Sequence, residues 1–217
     1  TPLYSSAASD VYKRQLEAAP ENPINILMEE HKIILQLLEK LNATVSRVQQ
    51  TGDVSYIREE ILQMKHLAED LLDAEKHYLR EENVLFPILE KHGITEPPAI
   101  MWMEHNQLRE RKKQLSNLVN NYRAINFQDF KRQLAETAKS LNGLLSSHIF
   151  KENNILFLTA LRVVTEQEWR DARREFDEIG YCSFTPKHLI AIPEVKEVEK
   201  QKTEALVMPE GILQFET

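Results

Sequence analysis

Two ten-residue stretches of this chain align without a gap, and what they share is a row of metal-ligand residue types. His77-Tyr78-Leu79-Arg80-Glu81-Glu82-Asn83-Val84-Leu85-Phe86 repeats as His148-Ile149-Phe150-Lys151-Glu152-Asn153-Asn154-Ile155-Leu156-Phe157. The common pattern is H-x-x-[RK]-E-x-N-[VI]-L-F. Upstream of each copy, at nearly equal intervals, stands a Glu-His pair: Glu30-His31 and Glu104-His105. The chain therefore reads as two helix-pair units. Each has one histidine on its first helix and an H-x-x-x-E on its second.

The flanking residues fit long helices packed side by side. Glycine is scarce (5 in 217 residues), and Leu, Glu, Lys, Ala and Gln dominate the middle of the chain, a composition that favours helix. The first helix opens at Asn22-Pro23, a cap followed by proline at the first helical position, and stops at Thr51-Gly52-Asp53. The second runs from Val54-Ser55 to Lys91-His92-Gly93, the third opens after Pro97-Pro98, and the fourth starts near Phe127. Apolar residues recur in steps of three and four, as on helices facing a bundle core. On the fourth helix the stripe reads Leu141, Leu145, His148, Glu152, Ile155. Short connections make neighbours antiparallel. The expected fold is all-α: an up-down-up-down four-helix bundle over 22–165. A short fifth helix from Glu166 to Glu178, stopped by Gly180, lies across it. Residues 1–21 resemble translated adaptor read-through and are set aside as a non-native or disordered segment. The remainder of 166–217 reads as a linker-like tail, with a small hairpin near 206–215.

The bundle brings the repeated polar residues to one level. His31 and His105 each lie about two turns into their helices, and Glu81 and Glu152 lie a similar distance before the ends of theirs. At ~1.5 Å per residue all sit roughly 12–15 Å from the same end. Residues four apart share a helix face, so His77 with Glu81, and His148 with Glu152, point inward on the apolar stripe. A buried, unpartnered carboxylate costs several kcal/mol. Arg80 and Lys151 stand about 100° off the stripe, so a cation is needed. Imidazole and carboxylate without thiolate suit iron, manganese or zinc. Six donors in two equivalent sets suggest two ions: His31, His77, His105 and His148 as terminal nitrogens, Glu81 and Glu152 as bridging carboxylates. Glu30 and Glu104, off the stripe, are expected on a solvated face, with hydrogen bonding to the ligand residues as the alternative. Phe86 and Phe157 are expected to pack the bundle end, and Met28, Met101, Trp102 and Met103 to pack in or near the core. His66, His92 and His188 have no repeat partner and read as incidental.

Several function classes are excluded. A formal charge of −7 without a basic block argues against nucleic acid. No apolar run approaches the roughly 18–20 residues of a membrane span. The single cysteine, Cys182, forms no internal disulfide and fits a reducing, cytoplasmic compartment.

With these residues in place, the chain resembles the hemerythrin-like HHE cation-binding family over about 23–161. His31, His77 with Glu81, His105, and His148 with Glu152 each match a ligand position. The resemblance implies a non-haem di-iron centre, oxo- or hydroxo-bridged, in a four-helix bundle. The segments 22–31 and 177–182 look more narrowly like a bacterial and archaeal subgroup of unassigned function in which a PAS sensor domain follows. The expectation is therefore an input module that senses O2, NO or redox state, with a C-terminal PAS partner and no catalytic residues of its own. Iron–sulfur cluster repair, or iron binding and storage, is the alternative. Two positions depart from the oxygen carriers of the family. Arg109 stands where they have a further histidine, and Asn153 where they have an aspartate, which counts against reversible O2 carriage.

Overall fold

The computed structural model describes residues 22–190, and no strand occurs among the described residues. Helix α1 spans Pro23–Gln50. Asn22 caps it, its side chain accepting from the Ile24 N–H at 2.9 Å, and Pro23 occupies the first turn, where a missing N–H costs nothing. A 3₁₀ turn, Val54–Tyr56, leads to a second rod built of α2 (Arg58–Asp73), α3 (Glu75–Arg80), a π-helical turn (Glu81–Leu85) and α4 (Phe86–Lys91). Gly93, at φ 81°, takes the left-handed conformation that ends it. Helix α5 (Glu96–Asn120) follows, its prolines inside the first turn rather than before it. The fourth rod is α6 (Phe127–Lys151), a second π turn (Glu152–Leu156) and α7 (Phe157–Val163).

The four rods form an all-α antiparallel bundle in which α1 packs on α2 and α6, and α5 packs on the same two. Its core has two apolar blocks. Ile34, Leu38, Met64, Leu71, Leu134 and Leu141 belong to one; Ile24, Leu27, Phe86, Leu89, Met101 and Phe157 belong to the other. Between them lies a layer of buried polar side chains: His31, His77, Glu81, His105, His148 and Glu152.

The two π turns are the main departure from the sequence expectation of uninterrupted helices. Each shifts the inward stripe by one residue. Ile155, expected in the core, is exposed, and Leu156 is buried instead; in the second rod Leu89 is buried and Ile88 only half-buried. Trp102 and Met103 are also exposed, because Met101 and His105 take the inward positions of that turn.

Helix α8 (Glu166–Ile179) has a full capping box, Thr165 bonding the Glu168 backbone while the Glu168 carboxylate accepts from Thr165 N–H. It packs on α1, on α3 and on the π turn of the second rod. Gly180 (φ 86°) ends it, and residues 181–186 run back over the bundle to the short α9 (Lys187–Ile190). The adaptor-like segment 1–21 and the expected hairpin near 206–215 lie outside the described residues.

Candidate metal centre

Each carboxylate of the polar layer opens a π turn. Phe86 N–H bonds the Glu81 carbonyl, and Phe157 N–H bonds that of Glu152, five residues back in both cases. The asparagine of the repeated pattern serves this turn. Asn83 Nδ2 donates to the Leu79 carbonyl, and Asn154 Nδ2 to that of Phe150, both at 2.7 Å. Widened turns of this kind recur at functional sites. Here the widening lets two successive residues face inward: Glu81 into the centre of the bundle and Glu82 into the seam beside α5.

All six sequence-selected residues meet in one layer. The Nε2 atoms of His31 and His77 are 3.1 Å apart. His31 Nε2 is 3.1 Å from one oxygen of Glu152, and His148 Nε2 is 2.8 Å from the other. Glu81 places one oxygen 3.5 Å from His77 Nε2 and 3.4 Å from His105 Nε2. Two groups of donor atoms result, each gathered within 4.8 Å: Glu81, His105, His148 and Glu152 in one, His31, His77 and Glu152 in the other. Glu152 belongs to both. Phe157 lies flat against His31 at 5.4 Å between ring centres, and Phe86 against His105 at 5.8 Å, so the bundle-end phenylalanines wall the layer.

The opposite ring nitrogens are all held, and the holding groups obey the same two-fold repeat. His77 Nδ1 meets Glu30 at 2.7 Å and His148 Nδ1 meets Glu104 at 2.8 Å. His105 Nδ1 meets Glu82 at 2.7 Å and His31 Nδ1 meets Asn153 Oδ1 at 2.8 Å. Each acceptor fixes the proton on Nδ1, leaving the Nε2 lone pair aimed at the centre. Arg80 in turn grips Glu30, and its repeat counterpart Lys151 grips Glu104.

Sequence reasoning placed Glu30 and Glu104 on a solvated face. Glu30 is instead fully buried, and Glu104 is largely covered. A residue 100° off the core stripe faces the seam with the next helix, not solvent. The signal was present in the repeat, which keeps a glutamate before both first-helix histidines. Arg109 donates to Glu75 and Glu82. It therefore supports His105 from behind, through Glu82, and adds no donor to the layer.

The residues present fit a cation. Both oxygens of Glu81, both of Glu152, and Nε2 of His105 and of His148 are buried without a hydrogen bond. With the protons on Nδ1, every one of these atoms is an acceptor. Acceptors packed 2.8–3.6 Å apart repel unless positive charge lies between them, and that spacing suits neighbours on one ion at bonds of ~2.0–2.2 Å. The acid–base balance points the same way. Burial opposes charge on His105, yet Glu152, Glu81 and Glu82 push it up to about 10. His31 is raised against its burial by Glu152 and Glu81. His77 is lowered, chiefly by burial. Glu152, despite burial, is held well below the carboxylate range by His148, His105 and His31. Burial would raise Glu30, but the His77 hydrogen bond and the charges of His77 and Arg80 hold it at about 2.

Comparison with known protein families agrees with this geometry. The model of the hemerythrin HHE cation-binding domain matches residues 22–160. The chain belongs to that family. No curated protein matches it.

Proposed function

We propose that the layer holds two iron ions, with His31 and His77 as terminal donors to one, His105 and His148 to the other, and Glu81 and Glu152 bridging. Manganese or zinc would fit the same donor types. The observation that carries this reading is the single buried layer of acceptors in which one carboxylate, Glu152, belongs to both donor groups. Glu81 takes the equivalent position between His77 and His105.

Iron held there would supply reversible one-electron chemistry and coordination positions open to a small diatomic molecule. The protein's own part is preorganisation. Glu30, Glu82, Glu104 and Asn153 fix the four rings, the two apolar blocks exclude water, and the phenylalanines close the bundle end. The working assignment is a cytoplasmic O2-, NO- or redox-sensing input module whose output is a C-terminal PAS domain. The commitment of Arg109 to Glu75 and Glu82, where oxygen carriers have a histidine, favours sensing over carriage.

Rapid-mixing spectra of the anaerobically reduced, iron-loaded protein against O2 and against NO test the sensing role. A new absorption band with at least one gas is expected. No change with either gas would remove it and leave storage or cluster repair.

A further inference from the structure

The two halves of the layer differ in one respect that the repeat does not explain. On the His31/His77 side the Glu30 carboxylate accepts four hydrogen bonds from three groups on two elements, α3 and the strap 181–186. They are His77 Nδ1 at 2.7 Å, Arg80 Nη2 at 2.7 and 2.5 Å to its two oxygens, and the Thr185 hydroxyl at 2.5 Å. Thr185 belongs to the strap 181–186, outside the region the family model matches. On the other side Glu104 meets His148 and Lys151, and its side chain is 23% exposed.

The strap is fastened at several points. Ser183 N–H bonds the Asp73 carboxylate at the end of α2. Thr185 N–H bonds the Cys182 carbonyl at 3.0 Å, a turn that aims the Thr185 hydroxyl inward. Cys182 is buried with its sulfur 3.8 Å from Arg80 Nη2. The Arg80 guanidinium lies 4.8 Å from the Tyr181 ring centre and 5.5 Å from that of Phe176 on α8. The segment that leaves the bundle thus covers one carboxylate, and that carboxylate holds one ring of the cluster.

We infer that Thr185 and the strap bearing it are part of the His31/His77 cation position: Thr185 is a positioning residue that orients His77 through Glu30. This rests on the reading of the layer as a two-cation site. A cation on His77 Nε2 makes the Nδ1 proton more acidic and strengthens its bond to Glu30. The carboxylate then shares itself differently between His77, Arg80 and Thr185. Coupling of this kind is reciprocal: whatever Thr185 contributes to cation affinity, occupancy returns to the strap. The strap would then register the state of one position and not the other.

The test is a Co2+ titration of the full chain after chelation, followed by visible absorption and equilibrium dialysis, with Thr185→Val, Thr185→Ala and Thr185→Ser beside the unaltered protein. The unaltered chain should take two ions. The Val and Ala variants should bind one as before and the other about 10–100-fold more weakly, as is usual when a group behind a ligand is lost. Ser should restore the second. Amide exchange over 181–185 should slow on loading in the unaltered chain and lose that response in the Val variant. Two unchanged affinities, equal weakening of both, a Ser variant that behaves like Val, or exchange indifferent to Co2+ would each overturn the inference. An unaltered chain that takes fewer than two ions would instead overturn the two-cation reading beneath it.

Discussion

Glu82 and Asn153 occupy equivalent places in the two repeats, and each holds the Nδ1 of a histidine from the other helix pair: Glu82 that of His105 at 2.7 Å, Asn153 that of His31 at 2.8 Å. One ring is therefore backed by a carboxylate and the other by a neutral amide. A carboxylate makes an imidazole the more basic ligand. Glu82→Gln should remove that difference, weakening one cation position about 10–100-fold and leaving the other unchanged. Competition against a chromogenic chelator measures both steps. Equal weakening of the two would show that the ring is not individually supported.

One oxygen of Glu81 lies 3.5 Å from His77 Nε2 and 3.4 Å from His105 Nε2, on different helix pairs, and the proposed site has it bridging. Glu81→Ala should lose more than half of the bound metal by elemental analysis, because both positions lose a donor. Full retention would refute the bridging role.

How much of this was legible in the chain differs from residue to residue. The six residues of the buried polar layer were readable because the repeat and the apolar stripe single them out together. Glu30 and Glu104 were misplaced because a helical wheel drawn for one rod does not show the seam with its neighbour. The one-residue slip to Leu156 was hidden, because a π turn leaves no mark in a pattern of threes and fours; only Asn83 and Asn154, repeated in the motif, hinted at it. The bond from Thr185 to Glu30 spans 155 residues, and no local pattern encodes a contact of that range.

Acidity should act on the loaded and the chelated protein differently. His105 rises from its usual 6.5 to about 10 in the folded chain without metal, and His31 also rises. A raised value stabilises fully below about pH 6.5 and is lost as pH climbs towards 10. Lys112 moves the other way: burial lowers it to about 7, so its penalty is relieved between about pH 7 and 10.5. A cation that neutralises Glu152 would deepen the Lys112 penalty at low pH and leave it absent at high pH, and it replaces the histidine protons; both effects act in one direction. The gap between the two melting temperatures should therefore widen from pH 6.5 to 10. A gap that is flat or narrows would contradict the shift on His105.

Lys112 is itself a weak point. Its amine is buried without a hydrogen bond, 4.2 Å from the centre of the Tyr78 ring. Lys112→Met keeps the stem and removes the stranded charge. Relief of desolvation, about 1–3 kcal/mol, exceeds the lost cation–ring attraction, about 1 kcal/mol. The net gain of about 1 kcal/mol should raise the melting temperature by roughly 2–4 °C, most clearly below pH 7. A fall would show that the amine has a partner the chain depends on.

The most direct measurement is the identity and number of metal ions on protein purified without air and without added metal. The account predicts two ions per chain, iron in both positions, with uptake abolished when Glu81 and Glu152 are both replaced by alanine. One zinc ion and no iron, or uptake that survives the double replacement, would contradict it.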